Sequence, residues 1–526
     1  MNPQNVRSQS KMKLHPLIVV GVFFLFLPFA WASVDLLEIR IRPDLLEHRH
    51  LVTILTSSIV ISCIGAFFAV VLGFFVSVAH SHYRLPFFAV WGTLMLVPLI
   101  CPVTMWSMAQ NACFGEGGLV NQFIGESWND LYTKFTPGKY ILAVLIFAQI
   151  TMPLCMLIIL RGCRRLQAGG WIAAKHYLTR TKMCLWVIKG LKHEIITSFL
   201  LAFSLNLGNF AVPHALQCRL ISVEIYSQAI NYLDREGAIA ASVIILAVAM
   251  LPAFLLALIF RRTQSLLQPS ETLYSDQKNW RRGLMATICM GYLIIFLFFP
   301  VAALFVQCGS ISTLLQAIRV SLPEASNSLI IASICAVLAG LLPWAAALVS
   351  PKKVGTAWEF FNLWAIGVSP LVIAIVCSRI GSLFGSRIGS ITIANAILCY
   401  ALLLRVWPYA FRILSTGKQE YHLDWQEAAR MARIPRLRQV TKIDLPHYLP
   451  YVVLTMVIAF SLSIGEIEIS QMLCAPGCGT LALRLMTFLH FAPANEVAGL
   501  ALFQMAVAMT PVFVLFAFWK KTFNIL

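Results

Sequence analysis

The chain has 526 residues, of which 59% are hydrophobic and only 12% are charged, about half the charged share of an ordinary soluble domain. A compact soluble fold cannot hide that much apolar surface, so the composition excludes a soluble enzyme, a disordered regulator and a secreted disulfide scaffold. The 40 Lys+Arg outnumber 22 Asp+Glu, for a net charge of +18; in a chain this apolar, such an excess marks basic cytoplasmic loops and not a nucleic-acid surface.

The apolar runs are long and continuous, unlike the short alternating segments of a membrane β-barrel. They predict an all-α polytopic membrane protein. A crossing helix needs about 20 largely apolar residues, and twelve segments qualify: 15–33, 52–78, 86–110, 140–160, 195–214, 237–260, 284–307, 325–349, 358–379, 391–415, 450–472 and 496–519. The first, with its basic start and Ala30-Trp31-Ala32, also has the look of a signal peptide. Pro28 and Trp31 fit a cleavage region poorly, so it is kept as a span; cleavage would leave eleven. With a cytoplasmic N-terminus, 29 Lys and Arg fall on inside segments and 11 outside, or 27 against 11 without Arg405 and Arg412. This bias places both termini in the cytoplasm. The 14 Cys are scattered, mostly in apolar runs, with no CxxC pair, so no metal site is expected.

The chain also repeats itself. Phe203-Ser204-Leu205-Asn206-Leu207-Gly208 matches Phe460-Ser461-Leu462-Ser463-Ile464-Gly465 at an offset of 257, while Ala173-Ala174 matches Ala428-Ala429 and Ile188 matches Ile443 at an offset of 255. Each matched block follows a span and a basic loop, and each half closes on a basic pair, Arg261-Arg262 or Lys520-Lys521. Two six-span halves, 1–262 and 284–526, are therefore expected, joined by a polar cytoplasmic linker at 263–283. An even number of spans makes them parallel repeats related by an axis along the membrane normal.

Each half has one large cytoplasmic loop before its fifth span, about 162–194 and 416–449. The second is basic, amphipathic and rich in small residues, and it suits either an interfacial helix on anionic lipid or a docking helix for a cytoplasmic partner. Glu427-Ala428-Ala429, with Ile443-Asp444-Leu445-Pro446 about sixteen positions on, resembles the EAA loop of ABC-importer membrane subunits. In that family the loop is a coupling helix that sits in a cleft of the ATPase. The whole chain resembles the fused permeases of ferric-iron and thiamine importers. Gly465-Glu466-Ile467, Ala475-Pro476-Gly477 and Thr480-Leu481-Ala482-Leu483-Arg484 are most similar to the ferric-iron branch. The resemblance implies two copies of a separate ABC ATPase, a periplasmic binding protein, and residence in a bacterial inner membrane. Ferric iron is the implied substrate, with thiamine and polyamines as alternatives. The coupling residues it implies are Glu427, Ala428, Ala429, Arg433, Leu445 and Pro446, with Ala173 and Ala174 in the first half. Two departures stand out. Arg433 occupies the place where the family usually has Gly, and the first loop is degenerate, with Ile172, Leu178 and Gly190-Leu191 at the motif positions.

No G-x-x-x-x-G-K-[ST] occurs, so ATP hydrolysis falls to a partner, and neither HExxH nor GxSxG is present. The reading assigns the chain no catalytic residue, metal or cofactor. Ionisable groups in spans are costly, and each marks a functional position. Glu466 aligns with Asn209 across the repeat. With Ser204, Asn206 and Ser463 these residues are expected to line a translocation path, where a carboxylate suits a hard cation. The alternative has Glu466 at the membrane surface, satisfied by water. Glu468, two residues on, reads as solvated or structural. His214 and His490 read as structural residues near the outer surface, and Cys474 and Cys478 flank a turn where a disulfide is possible. The outer loop 111–139, with Glu116, Glu126, Asp130 and Trp128, could meet a binding protein or be an ordinary solvated loop. Competing functions are a secondary transporter with two six-span halves and a membrane enzyme or scaffold. The large loop before the fifth span of each half argues against the former, and no clustered catalytic set supports the latter.

Overall fold

Within hydrocarbon no water is available to bond a free N–H or C=O, so apolar runs of this length fold as helices that satisfy their own backbone. The computed structural model describes residues 49–83, 85–124, 138–168, 174, 177–263, 279–349, 356–383, 391–421, 425, 428–429 and 431–522. The described residues contain no strand. In chain order the helices are α1 (Arg49–Tyr83), α2 (Phe88–Leu94), α3 (Val97–Ile100), α4 (Val103–Phe114), α5 (Leu119–Ile124), α6 (Gly138–Ala168), α7 (Arg180–Gly190), α8 (Lys192–Leu207), α9 (Ala211–Ala215), α10 (Ile221–Tyr226), α11 (Arg235–Thr263) and α12 (Asn279–Leu293). They continue as α13 (Phe299–Cys308), α14 (Ile311–Val320), α15 (Leu322–Val349), α16 (Thr356–Gly367), α17 (Pro370–Leu383), α18 (Ile391–Glu420), α19 (Arg436–Gln439), α20 (Leu445–Ile464), α21 (Glu468–Leu473), α22 (Leu481–Phe491) and α23 (Ala494–Thr522).

Eight helices are long and apolar enough to cross a membrane, or ten crossings if each of two bent pairs counts as one. The chain is thus an all-α polytopic membrane protein. The expected first span, 15–33, and most of the linker at 263–283 lie outside the described residues. Four expected spans differ from continuous helices. The third is broken at Cys101-Pro102, with its arms bent by 105°, and the ninth at Val368-Ser369, bent by 97°. Proline explains both. It lacks the N–H that would continue the helix and pushes the preceding residue out of the helical region; Cys101, before Pro102, is extended at φ −62°, ψ 139°, and Pro370 opens the second arm of the other pair. The fifth span ends at Leu207 after 16 residues. The eleventh ends at Ile464, so Glu466 and Glu468 stand beyond it, with Glu468 opening α21.

Small residues bring the helices together, as is usual where lipid removes the hydrophobic drive between them. α1 runs along α6, where a Cβ added to Gly73 would stand 2.8 Å from the Met156 amide nitrogen. Ser77 Oγ donates to Met156 O beside it, at 2.8 Å. α8 packs on both of them, while α15, α18 and α20 form a second group of three. The largest apolar core runs from Ile61 to Met509 and takes residues from both ends of the chain.

Two contacts tie the ends of α8 and α20 to the breaks. A Cβ at Gly208, the residue that ends α8, would lie 2.9 Å from Gly367 O, at the break between α16 and α17. One at Gly465, which ends α20, would lie 2.4 Å from Pro102 Cβ, at the break between α3 and α4. Each helix end therefore presses on the break of the opposite half of the chain. Neither obstacle is a flexible side-chain tip, so backbone must shift to admit a methyl group, at about 1–3 kcal/mol. Gly465→Ala and Gly208→Ala should each lower the thermal unfolding temperature in detergent, whereas Gly291→Ala, which meets nothing within 4 Å, should not. Equal stability of all three would remove this account of the breaks.

Candidate functional site

A broken helix leaves backbone groups without partners, and in a membrane interior they must be met by the protein itself. At the break between α16 and α17 two charged side chains do this. Glu468 Oε2 accepts from Leu371 N at 2.9 Å and from Ser369 Oγ at 3.2 Å. On the other side, Arg405 Nη1 donates to Val368 O at 3.2 Å. Its guanidinium lies 5.9 Å from the Tyr409 ring centroid, within cation–π range. Glu466 and Glu468 both interact electrostatically with Arg405. The site is thus two carboxylates and one guanidinium around a helix break. Such a group can hold the break in one shape, and its clustered oxygens are of the kind that suit a hard cation.

Glu468 is the residue that sequence reasoning undervalued. It is only 5% exposed, so of the two expectations, solvated or structural, the structural one describes it: it is buried and bonded to the break. Its signal in the sequence was indirect: a carboxylate just past a span end, with a Ser-Pro pair a hundred residues earlier. Glu466 is half-buried, and its carbonyl accepts from Ser470 Oγ at 2.7 Å. Ser204 lies beside the break, since a Cβ at Gly367 would stand 3.3 Å from Ser204 Cβ. The other expected path residues turn elsewhere. Asn206 Nδ2 donates to Ser62 O on α1 at 3.4 Å, Asn209 Oδ1 accepts from Val212 N at 3.1 Å, and Ser463 is buried beside the Cys335 thiol.

Beyond the break at Pro102, α4 is tied to its neighbours by neutral groups. Gln149 Oε1 accepts from Trp106 Nε1 at 3.1 Å and from Gln110 Nε2 at 2.6 Å, and Gln110 Nε2 also reaches Phe296 O at 3.0 Å. The two breaks therefore share a shape and differ in charge.

A polar cavity of about 850 Å³ opens near α9 and α10, lined by Glu116, Lys139, Arg219, Glu224, His214 and His490 among others. His214 of α9 and His490 of α22 have ring centroids 5.8 Å apart. Gln471 of α21 donates to the Tyr226 hydroxyl of α10 at the same place. Cys474 and Cys478 are free thiols. Among the described residues no three His, Cys, Asp or Glu converge as a metal site. Glu126, Trp128 and Asp130 of the outer loop lie outside the described residues.

At the opposite end are the two large loops. Glu427 and Ala173 lie outside the described residues; Ala429 and Ala174 are buried, and Ala428 is exposed. Ala432 N bonds Ala428 O at 2.9 Å and Ile434 N bonds Ala429 O at 3.0 Å, while Arg433 between them has φ +49°. A left-handed residue followed by an N–H that reaches back five residues is the usual helix stop, a place that favours glycine. Leu445 and Pro446 open α20, where a proline costs no hydrogen bond. Met431 and Leu437 project from this loop, 86% and 78% exposed, with Arg433, Arg436 and Arg438 exposed around them.

No protein-family model matches the chain, and no curated protein matches its sequence.

Removing the Glu468 carboxylate would leave the Ser369 hydroxyl buried without its acceptor and Leu371 N–H with only the longer bond to Ser369 Oγ at 3.4 Å, at about 1–3 kcal/mol. Glu468→Ala should lower the unfolding temperature clearly, and Glu468→Gln, which retains one acceptor oxygen, should lower it less. Thermal unfolding in detergent checks the order; equal stability of the Ala variant and the native protein would show that the break does not depend on Glu468.

Proposed function

We propose that the chain is the fused permease subunit of a binding-protein-dependent ABC importer, with ferric iron as its substrate. The observation that carries this reading is the backbone at Arg433. One of the two departures from the EAA loop is an arginine where the family places glycine. That position nonetheless adopts the left-handed turn for which glycine is suited. The turn is kept although the residue has changed, as expected of a loop whose shape is read by a partner.

Further features support the same reading. Breaks fall in the third and ninth of the twelve expected spans, the same place in each half. Pro153 within α6 and Pro408 within α18 stand at the repeat offset of 255. With the basic loops in the cytoplasm, both termini lie there too, and the cavity at His214 and His490 faces the periplasm, where a binding protein would deliver substrate. Two ATPase copies dock on the two large loops. Closure of the ATPase dimer moves the loops, and the spans alternate between outward-open and inward-open. Glu466 gives the path a carboxyl group, and the oxygens of Glu116 and Glu224 add hard donors at the cavity.

Two measurements test this. The purified chain should capture an ABC ATPase from its own cells, and Arg433→Gly should capture as much while relieving about 1 kcal/mol of backbone strain; Arg433→Val, β-branched at positive φ, should capture less. No capture by the native chain would remove the importer reading. Separately, uptake of labelled ferric iron should fall at least tenfold in Glu466→Gln at unchanged protein level. A variant that imports iron at the native rate would remove Glu466 from the path, and uptake of labelled thiamine instead of iron would reassign the substrate.

A further inference from the structure

Each large loop is gripped at its base. In the first half, Arg165 near the end of α6 reaches across to α8: Arg165 Nη2 lies 3.0 Å from Glu194 Oε1 and donates to Gly190 O at 3.2 Å. The two helices meet closely here. A Cβ at Gly162 would stand 2.7 Å from Glu194 Cγ, and one at Gly190 would stand 2.8 Å from Leu166. In the second half, Tyr421 follows the end of α18 and donates from Oη to Asp444 Oδ1 at 2.7 Å, just before α20. His447 of α20 bonds Gly417 O of α18 at 2.8 Å, and a Cβ at Gly417 would stand 2.8 Å from the Tyr451 ring. Trp425 and Tyr448 pack their rings around Tyr421, at centroid distances of 5.6 and 6.1 Å. Burial pushes the Tyr421 phenol well above its usual range, and Asp444 pushes it further, so it remains a donor. Asp444 is 1% exposed, and its Oδ2 has no hydrogen-bond partner among the described residues. A carboxylate buried with half its oxygens unmet is costly, and a purely structural joint would be served better by an apolar pair.

The helices that meet at these grips also hold the two breaks at their other ends. α18 carries Tyr421 at one end and, 16 residues or about 24 Å away along the helix, Arg405 on Val368 O. α20 runs from Asp444 to Gly465 against Pro102, and α21 then places Glu468 on Leu371. In the first half, α6 carries both Arg165 and Gln149 of the amide cluster, and α8 runs from Glu194 to Gly208 against Gly367.

We infer that Arg165–Glu194 and Tyr421–Asp444 are base clamps, positioning residues that fix the angle of each loop to a helix pair and so carry loop movement to the helix breaks. The inference rests on the importer reading. Without a clamp, a push on the loop tip is absorbed by bending where the loop joins α8 or α20. With it, both helices of the pair move as one lever, and the push arrives at the break.

The test compares ATPase capture with coupling in the full complex. Arg165→Glu, Glu194→Arg, Tyr421→Phe and Asp444→Asn should each capture the ATPase at the native level. Each should lose at least tenfold of transport-linked ATP turnover, with transport per ATP hydrolysed falling as well. Tyr421→Phe keeps the ring packing and removes only the hydroxyl. The double exchange Arg165→Glu with Glu194→Arg should recover at least a third of native coupling. The inference is overturned if the single variants couple as the native protein does. It is equally overturned if they lose ATPase capture and thermal stability in step with transport, since the pairs would then only build the loop, or if the exchange recovers nothing. A native chain that captures no ATPase removes the importer reading, and the inference with it, before any variant is compared.

Discussion

The structure depends on one constraint: every backbone polar group in an apolar environment needs a partner within the protein. Continuous helices meet it without help. The two bent pairs do not, and the groups they release at Val368 and Leu371 are met by Arg405 and Glu468. These charges are tolerable because each has a bonding task at the break. A steric constraint accounts for the glycines at 208 and 465, where helix ends press against a break so closely that a Cβ does not fit without a shift.

The two breaks divide their roles by chemistry. Along α4, beyond Pro102, the bonds are made by a tryptophan and two glutamines, neutral groups that fix geometry without setting up a strong field. Around Ser369 the partners are ionic. Two similar bends, of 105° and 97°, thus coexist with an asymmetric field. In a path between the two breaks, one wall would be charged and the other would not. The loops show a parallel difference, an ion pair at the base of one and a phenol–carboxylate bond at the base of the other.

Much of the fold was legible in the sequence because its signals are additive along the chain. Apolar runs of 20 or more residues mark helices whatever their neighbours, and eight of the twelve expected spans have a helix long and apolar enough to cross, among them Leu51–Tyr83, Gly138–Leu166 and Ala494–Leu515. The breaks were less legible. A run such as 358–379 has the hydropathy of a span, and averaging over a window hides one Ser-Pro step. The end of the eleventh span was placed past Glu466 and Glu468 for a similar reason, since Ile464, Ile467 and Ile469 around them keep the local average apolar.

The sequence by itself determined the class of the protein, the position of most helices, the basic loops and the internal similarity around Gly208 and Gly465, because each is a property of composition or of short local patterns. Only the tertiary structure decided what those positions do. That Gly465 meets Pro102 and Gly208 meets Gly367, that Glu468 and not Asn209 serves a broken helix, and that Tyr421 closes on Asp444 are contacts between residues 23 to 363 positions apart. No local pattern encodes them, because they depend on which helix ends are brought within bonding distance when the whole bundle packs.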